Sequence, residues 1–270
     1  MHLGLHLPQL DLDGSGFSLE RLTRAARAAR DAGFGSVSAN DHLVFSRPWL
    51  DGLVALGAVL ESSGDLELMT TAALPALRQP VVLAKALVGL DALSGGRVVA
   101  GIGAGSSRDD YAAVGIPFEE RWRRLDEAAV ELRPLLGEGI PLWLASWGSA
   151  AGLRRVARYG DGWLASAYNT DPDTFAEARG EPVRERPAAV VTMWTRVTED
   201  DAEADRFIGL LAEVLHRDLD QLRDRACVGS AQQCRELVAR YAEAGCDRMH
   251  FWPIGDEERQ VELIAGLVRP

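Results

Sequence analysis

Cysteine is scarce in this chain. Cys227, Cys234 and Cys246 are the whole supply, an odd number, and none stands in a Cys-x-x-Cys or Cys/His spacing. That excludes a zinc module and offers no disulfide framework, so the three read as reduced fillers. Long apolar runs are also missing: nothing approaches the roughly 20 residues that a membrane helix needs. The start, Met1-His2-Leu3-Gly4-Leu5, enters a strand-like segment without a basic region or a cleavage site, so a cytoplasmic protein off the membrane is expected. Positive charge is in deficit. A net charge of -11 opposes attraction to nucleic acid or anionic lipid, and nucleic-acid binding is not expected. No Ser/His/Asp order, no His/Glu metal spacing and no Walker lysine is present, which removes hydrolase, metalloenzyme and kinase chemistry.

What the chain does have is glycine in a telling place. From Leu93 to Asp110 the order is a helix stop at Ser94-Gly95-Gly96, an apolar run from Val98 to Ile102, and a loop with Gly101, Gly103 and Gly105 at alternate positions. A buried strand thus delivers bare backbone to a site suited to a flat ring or a phosphate. The dinucleotide fingerprint needs a third glycine where Ser106 stands and a helix that opens at once, whereas the next helix is expected only beyond Pro117. A plainer reading stays open, in which the glycines only ease strand-to-helix packing.

Strand and helix patterns alternate along the rest. The spacing predicts strands at Met1–Pro8, Phe34–Ser38, Leu66–Leu74, Val98–Ile102, Pro141–Ala145, Trp163–Ala167, Ala188–Val197 and Asp247–Trp252. Between them fall helices: one capped by Ser18 and stopped by Gly33, one from Pro48-Trp49, one from Pro80, one over Phe118–Leu136, one through Leu153 and Val156, one over Asp200–Leu215, one capped by Gly229-Ser230, and a last over Glu257–Val268. The polar stretch around Gly180 to Pro187 is the weakest part of the pattern. Eight strands, each followed by a helix, with 47% hydrophobic and 26% charged residues, fit one α/β domain over residues 1–270, a (β/α)8 TIM barrel.

In such a barrel the strands' carboxyl ends form the site. That gathers Asp41, His42, Thr71, Gly103 to Ser107, Ser146, Trp147, Trp194 and Trp252 at one mouth. Asp41 is placed to orient the His42 ring for proton transfer, or the two form a structural pair that fixes a loop. His250, inside the last strand, reads as a satisfied barrel residue. Ser146-Trp147-Gly148-Ser149 opens a helix whose free amides could hold a phosphate, unless Ser149 is simply its N-cap. An aromatic, glycine-lined mouth suits a planar redox cofactor that carries the chemistry itself.

Several motifs together resemble the luciferase-like monooxygenase family: Gly33-Phe34-Gly35-Ser36-Val37 through Asp41-His42-Leu43; Leu83-Ala84-Lys85-Ala86 through Ser94-Gly95-Gly96-Arg97; Gly101-Ile102-Gly103-Ala104-Gly105; Gly115-Ile116-Pro117-Phe118-Glu119-Glu120-Arg121; Tyr159-Gly160-Asp161-Gly162-Trp163; and Tyr241-Ala242-Glu243-Ala244-Gly245. The resemblance implies a flavin or deazaflavin barrel, with F420 favoured and FMN as the alternative. It implies hydride transfer with a small organic substrate; other members are monooxygenases fed by a flavin reductase, and some barrels bind flavin without turnover. A homodimer is implied as well. So is a non-proline cis peptide at Thr71-Ala72, with Ala72-Ala73 as its neighbour, bracing the ring beside Gly103, Ala104, Gly105 and Ser106. His42 would face the reactive edge, and Ser146, Trp147 and Gly148 would touch the phosphate. Arg78, Arg97 and Arg108 are candidates for an anionic tail, although Arg97 more naturally pairs inside its strand-helix junction. Members acting on sugar phosphates carry an acidic residue where Ser106 stands, which argues against that substrate. Trp49 lies later than the tryptophan those members place after the aspartate-histidine pair. Residues 168 to 188 are shorter than in the family, which would leave the mouth open.

Overall fold

A computed structural model of the chain describes residues 1–12, 14, 16–180 and 183–268. The strands are β1 (His2–His6), β2 (Ser36–Ala39), β3 (Glu67–Thr70), β4 (Val98–Ile102), β5 (Leu142–Ala145), β6 (Gly162–Ser166), β7 (Ala188–Val197), β8 (Cys227–Gly229) and β9 (Arg248–Pro253). All the pairings are parallel. β1 to β7 follow one another in chain order, β7 then pairs β9, and β9 pairs β1. Eight strands therefore close a ring. The short β8, absent from the sequence pattern, only extends the far end of β7.

Among the described residues twelve helices surround the ring: α1 (Leu19–Asp31), α2 (Gly52–Ala58), α3 (Pro75–Arg78), α4 (Pro80–Ser94), α5 (Arg108–Ala113), α6 (Arg121–Leu136), α7 (Ala150–Tyr159), α8 (Pro172–Ala178), α9 (Asp201–Leu215), α10 (Leu219–Arg223), α11 (Ala231–Glu243) and α12 (Glu257–Val268). Ser18, Asp51, Ser149 and Ser230 cap their helices through side-chain oxygens, each satisfying amides that a helix start leaves unpaired. The helix expected from Pro48 starts at Gly52 instead, because Asp51 accepts from the amides of Leu53 and Val54.

Side-chain alternation sorts the core into two layers. Met69, Val99, Trp143, Leu164, Ala189 and Val191 pack together in the lumen. Their strand neighbours Leu68, Val98, Leu142, Trp163 and Val190 join the layer beneath the helices. Beyond residue 167, where the sequence pattern predicts no element before Ala188, α8 folds down and its Phe175 stacks on Trp163 at 4.7 Å. The three cysteines are free and buried, as fillers should be, and burial pushes the Cys246 thiol up to about 12.

Two further histidines are fully buried, His6 and His250. Burial lowers both rings from 6.5 to about 3, so each is neutral in the folded chain. In the unfolded chain they protonate near 6.5, so the unfolded state binds more protons throughout the interval between those values. Stability is therefore full above about pH 6.5 and falls as pH drops toward 3, by about 2 kcal/mol per ring at about pH 5. Urea midpoints measured at neutral and acidic pH should show this slope, and His250→Gln should flatten it. An unchanged slope in that variant would count against the account.

Candidate functional site

A cavity of about 280 Å³ opens at the carboxyl ends of β2 to β7. Of the eleven residues nominated to act on or touch a cofactor, ten line it: Asp41, His42, Thr71, Ala72, Gly103, Ala104, Gly105, Ser106, Ser146 and Trp147. Gly148 does not. Its amide donates to the Ser146 hydroxyl at 3.3 Å, and its Cα faces Ala178 and Thr174 of α8.

The floor is built by β3 and β4. The Thr70 hydroxyl donates to the carbonyl of Gly101 at 2.7 Å and accepts from the Gly101 amide at 2.9 Å, locking the two strand ends in register. Immediately beyond, the Thr71-Ala72 peptide is cis. Gly103 follows between Ala72 and Ala145, and a methyl there would lie 3.4 and 3.2 Å from theirs. The Tyr111 hydroxyl donates to the carbonyl of Ala104 from beneath, with burial pushing its phenol up to about 12, so it stays a donor.

Above the floor stands His42, and its partner is not Asp41. Both Asp41 oxygens go to Arg78, at 2.5 and 2.6 Å, and one also accepts from the Leu74 amide. Arg78 reaches Asp51 as well, and its bonds to Asp41 hold it protonated despite burial. Asp41 and His42 therefore do not pair with each other, and Asp41 instead clamps the loop after β2 to α3. The His42 ring is oriented by Asp110, whose Oδ2 lies 2.7 Å from Nδ1. Asp110 is buried, and its other oxygen accepts from the amides of Leu43 and Val44. It sits on α5, a helix the sequence reading placed only beyond Pro117. The Ser-x-x-Asp pattern of Ser107 to Asp110 was the available signal, since Ser107 caps α5 by accepting from the Asp110 amide.

The three arginines offered for an anionic tail are all committed. Arg78 pairs as above, Arg97 donates to Ser94, Leu60 and Leu66 carbonyls at its strand-helix junction, and Arg108 meets Glu119 at 2.9 Å. At the end expected to hold a phosphate, Ser149 caps α7 by accepting from the Gly152 amide, and Ser146, Ser149 and half-exposed Trp147 all line the wall.

Trp194 and Trp252 belong to the mouth in a different sense. They are buried and stacked at 3.9 Å, with His6 on the other face of Trp252 at 3.5 Å. Trp49 meets Trp252 edge-on at 5.6 Å and His42 at 4.5 Å. This aromatic plug fills the β1 and β9 side of the mouth and leaves the β2 to β7 side as the cavity. Several wall residues escaped the sequence reading, among them Asn40 after β2, Arg121 and Trp122 at the start of α6, Tyr168 beyond β6, and Val191 and Thr192 in β7. A register shift between Val190 and Met193, with Thr192 at a φ of 59°, brings the last two to the wall. Tyr168 comes from the short segment expected to leave the mouth open.

The lining fits a flat heteroaromatic ring. Thr71 Oγ1 and Asn40 Oδ1 are buried at this wall without a hydrogen-bond partner, which is costly unless a ligand's polar edge supplies one. Small residues at 72, 103, 104 and 145 leave the floor bare.

Comparison with known proteins agrees with this architecture. A family described as luciferase-like monooxygenase matches residues 2–139. An F420-dependent hydroxymycolic acid dehydrogenase of Mycobacterium tuberculosis is 32% identical over 184 residues, covering 56% of this chain and 50% of the relative. The chain spans about half the length of the first curated relatives it matches. Among solved structures, an F420-dependent secondary alcohol dehydrogenase in complex with an F420-acetone adduct superposes with a TM-score of 0.80 at 19% identity, over 100% of this chain and 99% of that one. Monooxygenase RslO1 from Streptomyces bottropensis gives 0.82 at 20% identity, over 99% and 98%. These two likenesses speak to the fold, a (β/α)8 barrel. The family match spans more than half of the 270 residues, and the chain belongs to the luciferase-like monooxygenase family.

Proposed function

We propose that the chain is an F420-dependent oxidoreductase acting on a small organic substrate. The observation that carries this reading is the His42–Asp110 pair beside the bare floor of the cavity, in a chain whose relatives include an F420-dependent dehydrogenase. F420, when bound, supplies the hydride chemistry. Thr71, Ala72 and Gly103 to Ser106 would seat its ring, with Ser146 and Trp147 toward its phosphate.

The chain's own contribution is proton handling. With the Asp110 carboxylate accepting from Nδ1–H, the ring's other nitrogen, Nε2, accepts a proton when the ring is neutral and donates when it is charged. Reducing a carbonyl or oxidising an alcohol moves a proton at oxygen along with a hydride at carbon, and Nε2 is the group placed to take or give that proton. The leucine and valine amides hold Asp110, Asp110 holds the ring, and the stacked tryptophans exclude water from one side.

Titration of the purified protein with F420, followed by quenching of tryptophan fluorescence from Trp147 and Trp122 at the wall, should saturate, and FMN should bind more weakly. Tight binding of FMN alone would replace this reading with the flavin monooxygenase one, which requires reduced flavin from a reductase. Turnover under strict anaerobiosis separates the two, because the monooxygenase needs oxygen. Binding of F420 without turnover of any substrate would support a flavin-binding protein.

A further inference from the structure

A second space lies behind the aromatic plug. It has a volume of about 420 Å³ and is walled by Leu10 and Leu12 after β1, Phe207 and Leu210 of α9, and Trp252 and Ile254 at the end of β9. Apolar space of this size ordinarily collapses, because interiors pack to crystal density. Here the walls are held apart. The Gln9 side chain donates to the carbonyls of Asn40 and Leu50 and accepts from the Asn40 amide, and Leu10 bridges Trp49. On the opposite wall Arg196 donates to the carbonyls of Ile254 and Gly255. Trp252, the floor, is fixed by its stacking between His6 and Trp194.

The rim carries a distinctive charge. Arg21 and Glu257 pair across one side at 2.6 Å. Arg206 stands 69% exposed with its guanidinium 4.8 Å from the Phe207 ring. Its nearest carboxylate, Glu203, is 3.8 Å away and already engaged by Arg196 at 2.7 Å. A surface cation therefore sits over a preformed apolar cavity in a chain of net charge -11. A neutral chain would gain nothing from that guanidinium and a cation would be repelled by it, whereas a carboxylate would pair with it bidentately.

We propose that this cavity binds an aliphatic monocarboxylate, its chain against Trp252 and its carboxylate on Arg206. The site is separate from the cavity at His42 and does not depend on which cofactor that cavity holds. The test is calorimetric titration of the cofactor-free protein with decanoate, decanol and decylamine. Decanoate should bind at one per chain, and more tightly than either of the others. Arg206→Glu, an exposed change that leaves the urea midpoint in place, should weaken decanoate at least tenfold. Leu210→Phe, which fills the cavity, should abolish binding, and both variants should titrate with F420 as the parent does. Decanol binding as tightly as decanoate, or decanoate binding indifferent to Arg206→Glu, would overturn the proposal, as would no heat with decanoate at all. Loss of F420 binding in the parent, with decanoate retained, would fall on the proposed function alone.

Discussion

Asp110→Asn is expected to lower turnover by about 100-fold or more while leaving the fold close to intact. The asparagine keeps the shape and can still accept from the Leu43 and Val44 amides through one oxygen. Facing His42 Nδ1, however, it presents an amide N–H where a carboxylate oxygen stood 2.7 Å away. The ring then accepts at Nδ1 and carries its hydrogen on Nε2, so the cavity-side nitrogen no longer accepts a proton and has no carboxylate to stabilise its charged form. Nitrogen chemical shifts of a labelled His42 should report the tautomer change without any substrate. Asp110→Ala should cost stability as well, about 3 kcal/mol by denaturation, because three hydrogen bonds to a buried carboxylate go at once. His42→Ala combined with Asp110→Asn should be no slower than His42→Ala alone, since the aspartate acts through the ring. Full turnover in Asp110→Asn, with the ring's shifts unchanged, would remove Asp110 from the site.

Asp110 also marks where sequence reading stops. Periodicity placed the eight barrel strands because each buries one face in the lumen and the other beneath helices, a constraint every residue of the strand must satisfy. Thr71 and Gly103 to Ser106 followed from that placement, since strand ends must meet at one rim, and Ala72 from the family resemblance. What the pattern could not say is which acid meets which base. Asp41 precedes His42 in the chain, yet in an extended segment neighbouring side chains point to opposite sides. Asp41 accordingly turns to Arg78, 37 residues on, and His42 to Asp110, 68 residues on. α5 and α8 escaped because six and seven residues carry too little apolar period to see, and α8 buries only Pro172, Phe175 and Ala178. Arg97 was legible for the converse reason. It sits at a strand-helix junction where one acceptor, the Ser94 carbonyl, is close in sequence as well as in space.

The same local reasoning separates two glycines that look alike in the motif. At Gly101 an added methyl would lie 2.0 Å from the carbonyl oxygen of Thr70 and 2.6 Å from the Leu164 side chain. The first neighbour is backbone, and it is the strand already locked to Gly101 by the paired Thr70 bonds. Gly101→Ala must therefore part β3 from β4, and it should cost about 3 kcal/mol or more, or yield insoluble chain. At Gly103 the methyl meets only Ala145 and Ala72, at 3.2 and 3.4 Å, and both can yield by a few tenths of an ångström. Gly103→Ala should keep its urea midpoint within about 1 kcal/mol of the parent. Yet Ala72, Gly103 and Ala145 all line the cavity, so the added carbon narrows the bed on which a flat ring would rest. F420 affinity in Gly103→Ala should fall at least tenfold by fluorescence titration. The pair thus divides the motif into a glycine for the barrel and a glycine for the ligand. Equal stability losses in the two variants would return both to strand-to-helix packing, and unaltered F420 affinity in a folded Gly103→Ala would move the ring's seat off β4.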